Sequence, residues 1–161
     1  MKKIYFFIIS FAVTGALFSF SSFNSASIMV GQKISAFDLP AVDKEELIWI
    51  NFWAVYDAAS RNENAQFSYV IKKMEEKSSE KALSLKSVSI SMDKFDSVFE
   101  EALKQDNLSF FQVIREPEGF KSKIAKELKL NNRFGNFLFD AQGRLVAKNL
   151  TPEELELVIS D

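Results

Sequence analysis

Two residue types are missing from this chain, and their absence excludes more chemistry than any of its motifs establishes. There is no cysteine and no histidine in 161 residues. Without a thiol the chain can neither form nor exchange a disulfide, nor attack a peroxide through sulfur. Without an imidazole there is no Ser-His-Asp triad and no His-ligated metal site, and the sequence calls for no metal or other cofactor. An excess of positive charge is also lacking. The 20 basic and 22 acidic residues leave a net charge of −2, with the two signs interspersed. A nucleic-acid binder would carry a basic patch or stripe instead. No internal repeat, low-complexity tract or linker interrupts the chain. What it has in quantity is phenylalanine, 17 residues, ample material for a hydrophobic core.

The first 27 residues read as a secretory signal peptide. Lys2 and Lys3 supply the basic start, Ile4 to Phe20 the apolar centre, and Ser21 to Ser27, mostly small and polar, the cleavage region. Cleavage after Ala26 or Ser27 is expected. The alternative is an uncleaved N-terminal anchor, although the apolar run falls short of the ~20 residues of a spanning helix. No cysteine follows, so a lipoprotein anchor is excluded. Export to the periplasm of a bacterium follows, with membrane association only if the segment is retained. The remainder, 28–161, has the length of one domain.

That remainder is organised around Leu47 to Arg61. Leu47-Ile48-Trp49-Ile50-Asn51-Phe52-Trp53 is an apolar run suited to a strand buried on both faces. It stops at Tyr56-Asp57, and a helix-compatible stretch runs from Ala58 to about Lys77, with Phe67, Val70, Ile71 and Met74 on one face. A strand feeding a helix N-terminus is a common place to build a site, because backbone N–H groups there are unpaired and the helix dipole favours negative charge.

Leu83 to Ser91 reads as a second core strand closed by Met92-Asp93, and Phe95 to Lys104 as a helix with Phe95, Val98, Phe99 and Leu103 on one face. Ser109 to Ile114 is a short inserted strand. Pro117 opens a helix predicted over Glu118 to Lys129, with Phe120, Ile124, Ala125 and Leu128 inward. Leu130 to Arg133 is a loop. Asn136 to Asp140 and Arg144 to Ala147 form a hairpin around Ala141-Gln142-Gly143, where Gly suits positive φ. The last helix begins at Thr151-Pro152-Glu153-Glu154, a capping box with Pro at the first helical position, and turns Leu155, Val158 and Ile159 inward.

The central stretch resembles the active-site segment of the thioredoxin superfamily, in particular the TlpA/ResA-like and redoxin (AhpC/TSA-type) branches of secreted bacterial proteins. Those carry a pattern near Asn-Phe-Trp-Ala-x-Trp-Cys-x-x-Cys-Arg-x-Glu. Asn51-Phe52-Trp53-Ala54, Arg61 and Glu63 match it. Tyr56 replaces the second Trp, Asp57 the nucleophilic Cys and Ser60 the resolving Cys. Gly31 to Leu39 resembles the family's opening segment, and reads equally well as a surface β-bridge. Asn136 to Val146 resembles its Phe-Leu-Ile-Asp-x-x-Gly-x-Ile-Val hairpin. Phe134-Gly135 then stands at the family's Pro-Thr, whose cis Pro faces the Cys pair. A cis bond before a non-proline residue costs ~2.5–4 kcal/mol, so a trans bond is expected before Phe134. The resemblance implies a thioredoxin-like three-layer α/β/α sandwich with a mixed central sheet.

No residue is assigned as catalytic. Asp57 admits three readings: a helix N-cap, a ligand-binding group, or a general acid–base, for which the sequence places no titratable partner beside it. Ser60 is a relic of Cys or itself an N-cap with Glu63, since both residues cannot cap one helix start. If Asp57 is the cap, Ser60→Ala should cost much less than Asp57→Ala. Arg61 reads as a surface ion pair, four residues beyond Asp57. Trp53 reads as core and Tyr56 as partly exposed. Trp53, Tyr56, Asp57, Arg61, Phe134 and Gly135 are the candidate binding residues. The expected function is a redox-inactive module binding another envelope protein or a peptide. The alternative is a thiol-disulfide oxidoreductase relative by descent, with a residual or different activity centred on Asp57.

Overall fold

Leu47–Trp53 forms β1, the middle strand of the molecule, and every residue after Leu47 is buried. The computed structural model describes residues 28–34, 47–77 and 85–160. The segment read as a signal peptide, residues 35–46, and the first residues of the second predicted strand lie outside them. β1 pairs in parallel with β2 (Leu85–Ser91) and antiparallel with β4 (Asn136–Phe139), Asn51 standing opposite Ser89 on one side and Asn136 on the other. β3 (Gln112–Arg115) extends the sheet in parallel beyond β2, and β5 (Leu145–Lys148) extends it antiparallel beyond β4, giving the order β3-β2-β1-β4-β5.

The two-residue period of a strand sorts β1 between two cores. Ile48, Ile50 and Phe52 face Val88, Ile90, Phe137 and Phe139, closed over by Ile124, Ala125 and Leu128 of the short α3 (Lys123–Glu127) and the residue that ends it. Trp49 points the other way, into a cluster with Leu138, with Phe67 and Ile71 of α1 (Ala58–Lys77), and with Leu155 and Ile159 of α4 (Pro152–Ser160). The Trp49 ring lies 4.5 Å from that of Phe67. The architecture is a thioredoxin-like α/β/α sandwich around a mixed sheet, as the sequence implied.

Beside the Trp49 cluster, part of the sheet beneath α1 is polar. Asn64 and Ser68 of α1 lie over Asn51 of β1 and Ser87, Ser89 and Ser91 of β2, all buried. The Asn64 Oδ1 accepts from Asn51 Nδ2 at 2.8 Å and from the Ser89 hydroxyl at 2.9 Å. Ser68 and Ser87 accept the amides of Ser109 and Phe111, so the same seam ties down the chain leading into β3. Buried polar atoms that find such partners fix how the layers sit, because any shift leaves them unpaired at a cost of about 1–3 kcal/mol each.

Local signals behave as their chemistry dictates. In the hairpin, Asp140 Oδ1 accepts the amides of Gln142 and Arg144, and Gly143 takes φ 74°. At α4, Thr151 and Glu154 exchange the reciprocal bonds of a capping box, at 2.8 and 3.2 Å. Of the leading segment, Lys33 makes an isolated antiparallel bridge to Arg144.

Three expectations need correction. The helix predicted over Glu118 to Lys129 is a 3₁₀ turn, Gly119–Lys121, followed by the five-residue α3. Gly119 sits at φ 55°, which no α-helix accommodates, and Ser122 is extended so that its hydroxyl can cap the Ala125 amide at 3.2 Å. Phe95 stands exposed just ahead of α2 (Asp96–Asp106), whose only buried residue is Ala102; the helix turns a narrow face inward. Val158 is exposed, because the core under α4 is already filled by Leu155 and Ile159.

Candidate functional site

β1 ends at Trp53, and the chain turns through Ala54 to Tyr56 before entering α1. Two side chains hold this turn from opposite sides. Ser60, in the first turn of α1 and buried, accepts the Ala54 amide and donates to the Asp57 carbonyl, each at 3.2 Å. Asp93, just past β2 and 3% exposed, accepts the Val55 amide at 2.9 Å and the Ser91 hydroxyl at 2.7 Å through Oδ2. The main chain adds a bond from the Met92 amide to the Trp53 carbonyl at 2.7 Å.

Asp57 is the helix cap. Its Oδ1 accepts the Ser60 amide at 2.8 Å, satisfying an N–H that the helix leaves free, and its carbonyl starts the helical ladder at the Arg61 amide. Ser60 therefore does not cap with Glu63; its hydroxyl braces the turn instead. Of the two sequence readings, the cap belongs to Asp57.

Arg61 does not pair with Asp57. It reaches across to the end of α2, where Nε and Nη2 grip Asp106 at 2.8 and 2.6 Å and Nη2 also reaches Gln105. The hydrogen-bonded Asp106 carboxylate holds the guanidinium above its ordinary pKa. Nothing near Arg61 in the sequence marks this partner; the crossover after β2 supplies it. Glu63, on the same helix, has its carboxyl pushed up by burial.

Trp53 is wholly buried, its indole nitrogen among the unpartnered buried atoms, and so it offers no surface to a ligand. Tyr56 is the reverse, 69% exposed. Its phenol is pushed above the ordinary value by partial burial and then by the charges of Asp93 and Asp57. The Tyr56 ring lies 6.1 Å from that of Phe134, which lies 5.1 Å from that of Phe120 in the 3₁₀ turn. Three segments far apart in sequence thus meet in one aromatic cluster. The peptide bond before Phe134 is trans. Gly135 is buried; its carbonyl accepts the Phe52 amide at 3.0 Å, and a Cβ on it would come within 2.6 Å of the Asn149 side-chain oxygen.

Beside the cluster lies an open cleft of about 820 Å³, running from Tyr56 between the Met92–Val98 segment and the Pro117–Lys121 turn. In the sequence Met92-Asp93 reads as the close of a strand, near where the thioredoxin-like family carries an Asp, and nothing there marks the cleft. The available signal was an acid directly after an apolar strand; buried there, it needs partners and finds them in the turn between β1 and α1.

No family model matches the chain, and no curated protein does. Solved structures do match. A thioredoxin-like protein from Parabacteroides distasonis is 30% identical, with a TM-score of 0.68, over 82% of this chain and 93% of that one. A thiol-disulfide oxidoreductase from Bacteroides fragilis is 23% identical with a TM-score of 0.65, over 80% of this chain and 98% of its own. StoA from Bacillus subtilis, 19% identical with a TM-score of 0.57, covers 80% of this chain and 93% of that one. The last two show the same fold. With the turn, the cap and the first of these likenesses taken together, the chain belongs to the thioredoxin-like family, and it does so without a single cysteine.

Proposed function

We propose that this protein is an exported, redox-inactive binding module that holds a peptide segment of another protein in the bacterial cell envelope. One observation carries the reading. The groups at the family's reactive positions are engaged in structure, while the face around them is open and aromatic. Asp57 Oδ1 caps α1 and the Ser60 hydroxyl is shared between Ala54 and Asp57. Next to them Tyr56 stands exposed in contact with Phe134, which in turn meets Phe120. An exposed ring backed by two half-buried ones on a rigid frame suits a protein partner, supplying contact area at low entropic cost. An acid–base role for Asp57 has less support, because ligand and helix would compete for the same carboxylate. Ser60, in turn, has no activating base.

Selection of displayed random peptides on the purified protein tests this. Peptides recovered on the wild type should lose binding when Tyr56 and Phe134 are both changed to Ala, with circular dichroism unchanged. Recovery of peptides indifferent to that change would put the binding face elsewhere. Insulin reduction should stay at the level of the uncatalysed control. Export is tested by the intact mass of protein from the cell envelope, which should correspond to cleavage near Ala26; a full-length chain in the membrane fraction would indicate an anchor.

A further inference from the structure

We infer that the cleft beside the aromatic cluster selects acidic peptide segments, in which a large apolar residue is flanked by carboxylates; this rests on the peptide-binding reading above. The cleft has an apolar floor and a basic rim. Phe95 and Val98 on one wall are exposed, at 62% and 39%, and Phe120 and Tyr56 continue the apolar surface toward Phe134. Exposed Phe95 and Val98 at a helix that buries only Ala102 are not explained by the packing of α2.

The rim carries Lys94, Lys121 and Lys126, and these come from both walls of the cleft. Among the described residues none of the three is in an ion pair; Lys94 lies over the Phe95 ring at 5.5 Å. Two acids also line the cleft. Asp93 is turned inward, and the Val55 amide and Ser91 hydroxyl occupy its Oδ2. Glu118 is the one exposed carboxylate among the lining residues; with the charge of Asp93, which acts on Tyr56 in the same cleft, two carboxylates stand against three ammonium groups. The neighbouring Arg115 and Asp96 neutralise each other at 2.9 Å. On a chain whose net charge is −2, a basic rim around an apolar cleft is a local reversal of sign. Such complementarity steers and selects a negatively charged partner, while the apolar floor supplies the affinity.

Fluorescence anisotropy with three synthetic peptides tests the inference on the full chain: one with a central Phe between Glu and Asp residues, one with the same Phe between Ser residues, and one with Ala in place of Phe between the acids. The acidic Phe peptide should bind tightest, and its affinity should fall steeply with salt. Changing Lys94, Lys121 and Lys126 together to Gln should weaken it about tenfold and leave the Ser-flanked peptide unchanged. Phe95→Ala should weaken both Phe peptides. All four positions are exposed, and circular dichroism checks that each variant folds. Equal affinity for the acidic and Ser-flanked peptides would overturn the charge selection while leaving the binding module intact. No binding of any peptide, together with no effect of Tyr56→Ala and Phe134→Ala in the selection experiment, would overturn both. Phosphatidylglycerol vesicles are the remaining arm. Vesicle binding that the triple Lys→Gln variant loses, with no peptide bound, would replace the peptide by a membrane surface.

Discussion

Asp57 and Ser60 brace each other across one helical turn: the Asp57 carboxylate takes the Ser60 amide at 2.8 Å while the Ser60 hydroxyl donates back to the Asp57 carbonyl at 3.2 Å. The pair that would be a dithiol in an active relative is here a closed structural unit. Its two members cannot be ranked by capping alone, and the bonds of the Ser60 hydroxyl argue against the expectation of a cheap Ser60→Ala. Asp57→Ala removes a cap, worth on the order of 1 kcal/mol. Ser60→Ala leaves the buried Ala54 amide without its acceptor, which costs about 1–3 kcal/mol. Urea melts should therefore show Ser60→Ala at least as destabilising as Asp57→Ala.

Putting sulfur back should rebuild the bond but not the stability. With Asp57→Cys and Ser60→Cys the two thiols stand three residues apart at the start of α1 and should be oxidised by added glutathione disulfide to a disulfide, read as a loss of two hydrogen atoms by mass. The thiol that replaces the Asp57 carboxylate stands at the helix N-terminus, which favours thiolate, so it should titrate below the unperturbed ~8.5. The reduced double variant should melt at lower urea than wild type, since the cap and the Ala54 acceptor are both gone. A pair that resists oxidation would reject the alignment of these positions with the family's cysteines.

Arg61 and Asp106 should behave as a coupled pair linking α1 to α2. Their contact is bidentate and partly shielded, with side-chain exposures of 28% and 15%. A double-mutant cycle with Arg61→Ala and Asp106→Ala should give a coupling energy of about 0.5–1 kcal/mol, falling in high salt. Arg61→Lys should recover little of it, because an ammonium cannot reproduce the two-pronged grip.

Asp93 gives a prediction with a spectroscopic readout. Asp93→Ala should destabilise the fold by about 1–3 kcal/mol, since the Val55 amide and Ser91 hydroxyl lose their acceptor. Asp93→Asn keeps an acceptor and removes the charge. As that charge helps hold the Tyr56 phenol above its ordinary value, phenolate absorbance in the Asn variant should appear at lower pH than in wild type.

Glu63 should make stability fall as pH rises from acid. Burial raises its folded pKa above the unfolded value, so the folded state holds the proton more tightly. Its contribution is fully present below the unfolded pKa and is lost as pH climbs through the folded pKa. Glu63→Gln should therefore be more stable than wild type at neutral pH and indistinguishable from it in acid, by thermal melts at matched ionic strength.

The sequence alone determined what chemistry is impossible and where most elements lie. Absence of sulfur nucleophile and imidazole is a property of composition, and no fold can supply them. The apolar run of β1, the periodic face of α1, the Asp140 turn and the Thr151 capping box rest on contacts within a few residues. Patterns in the chain report such contacts directly. The helix expected over Glu118 to Lys129 failed for a related reason: its apolar spacing is helical, but Gly119 and Ser122 take backbone angles that periodicity does not register. Only the tertiary structure decided who meets whom across the sheet. It paired Arg61 with Asp106, 45 residues on, and turned Asp93 toward Val55, 38 residues back. It also brought Tyr56, Phe120 and Phe134 onto one face. These meetings depend on the crossover from β1 through α1 to β2 and on the strand order it imposes, which no local window of residues contains.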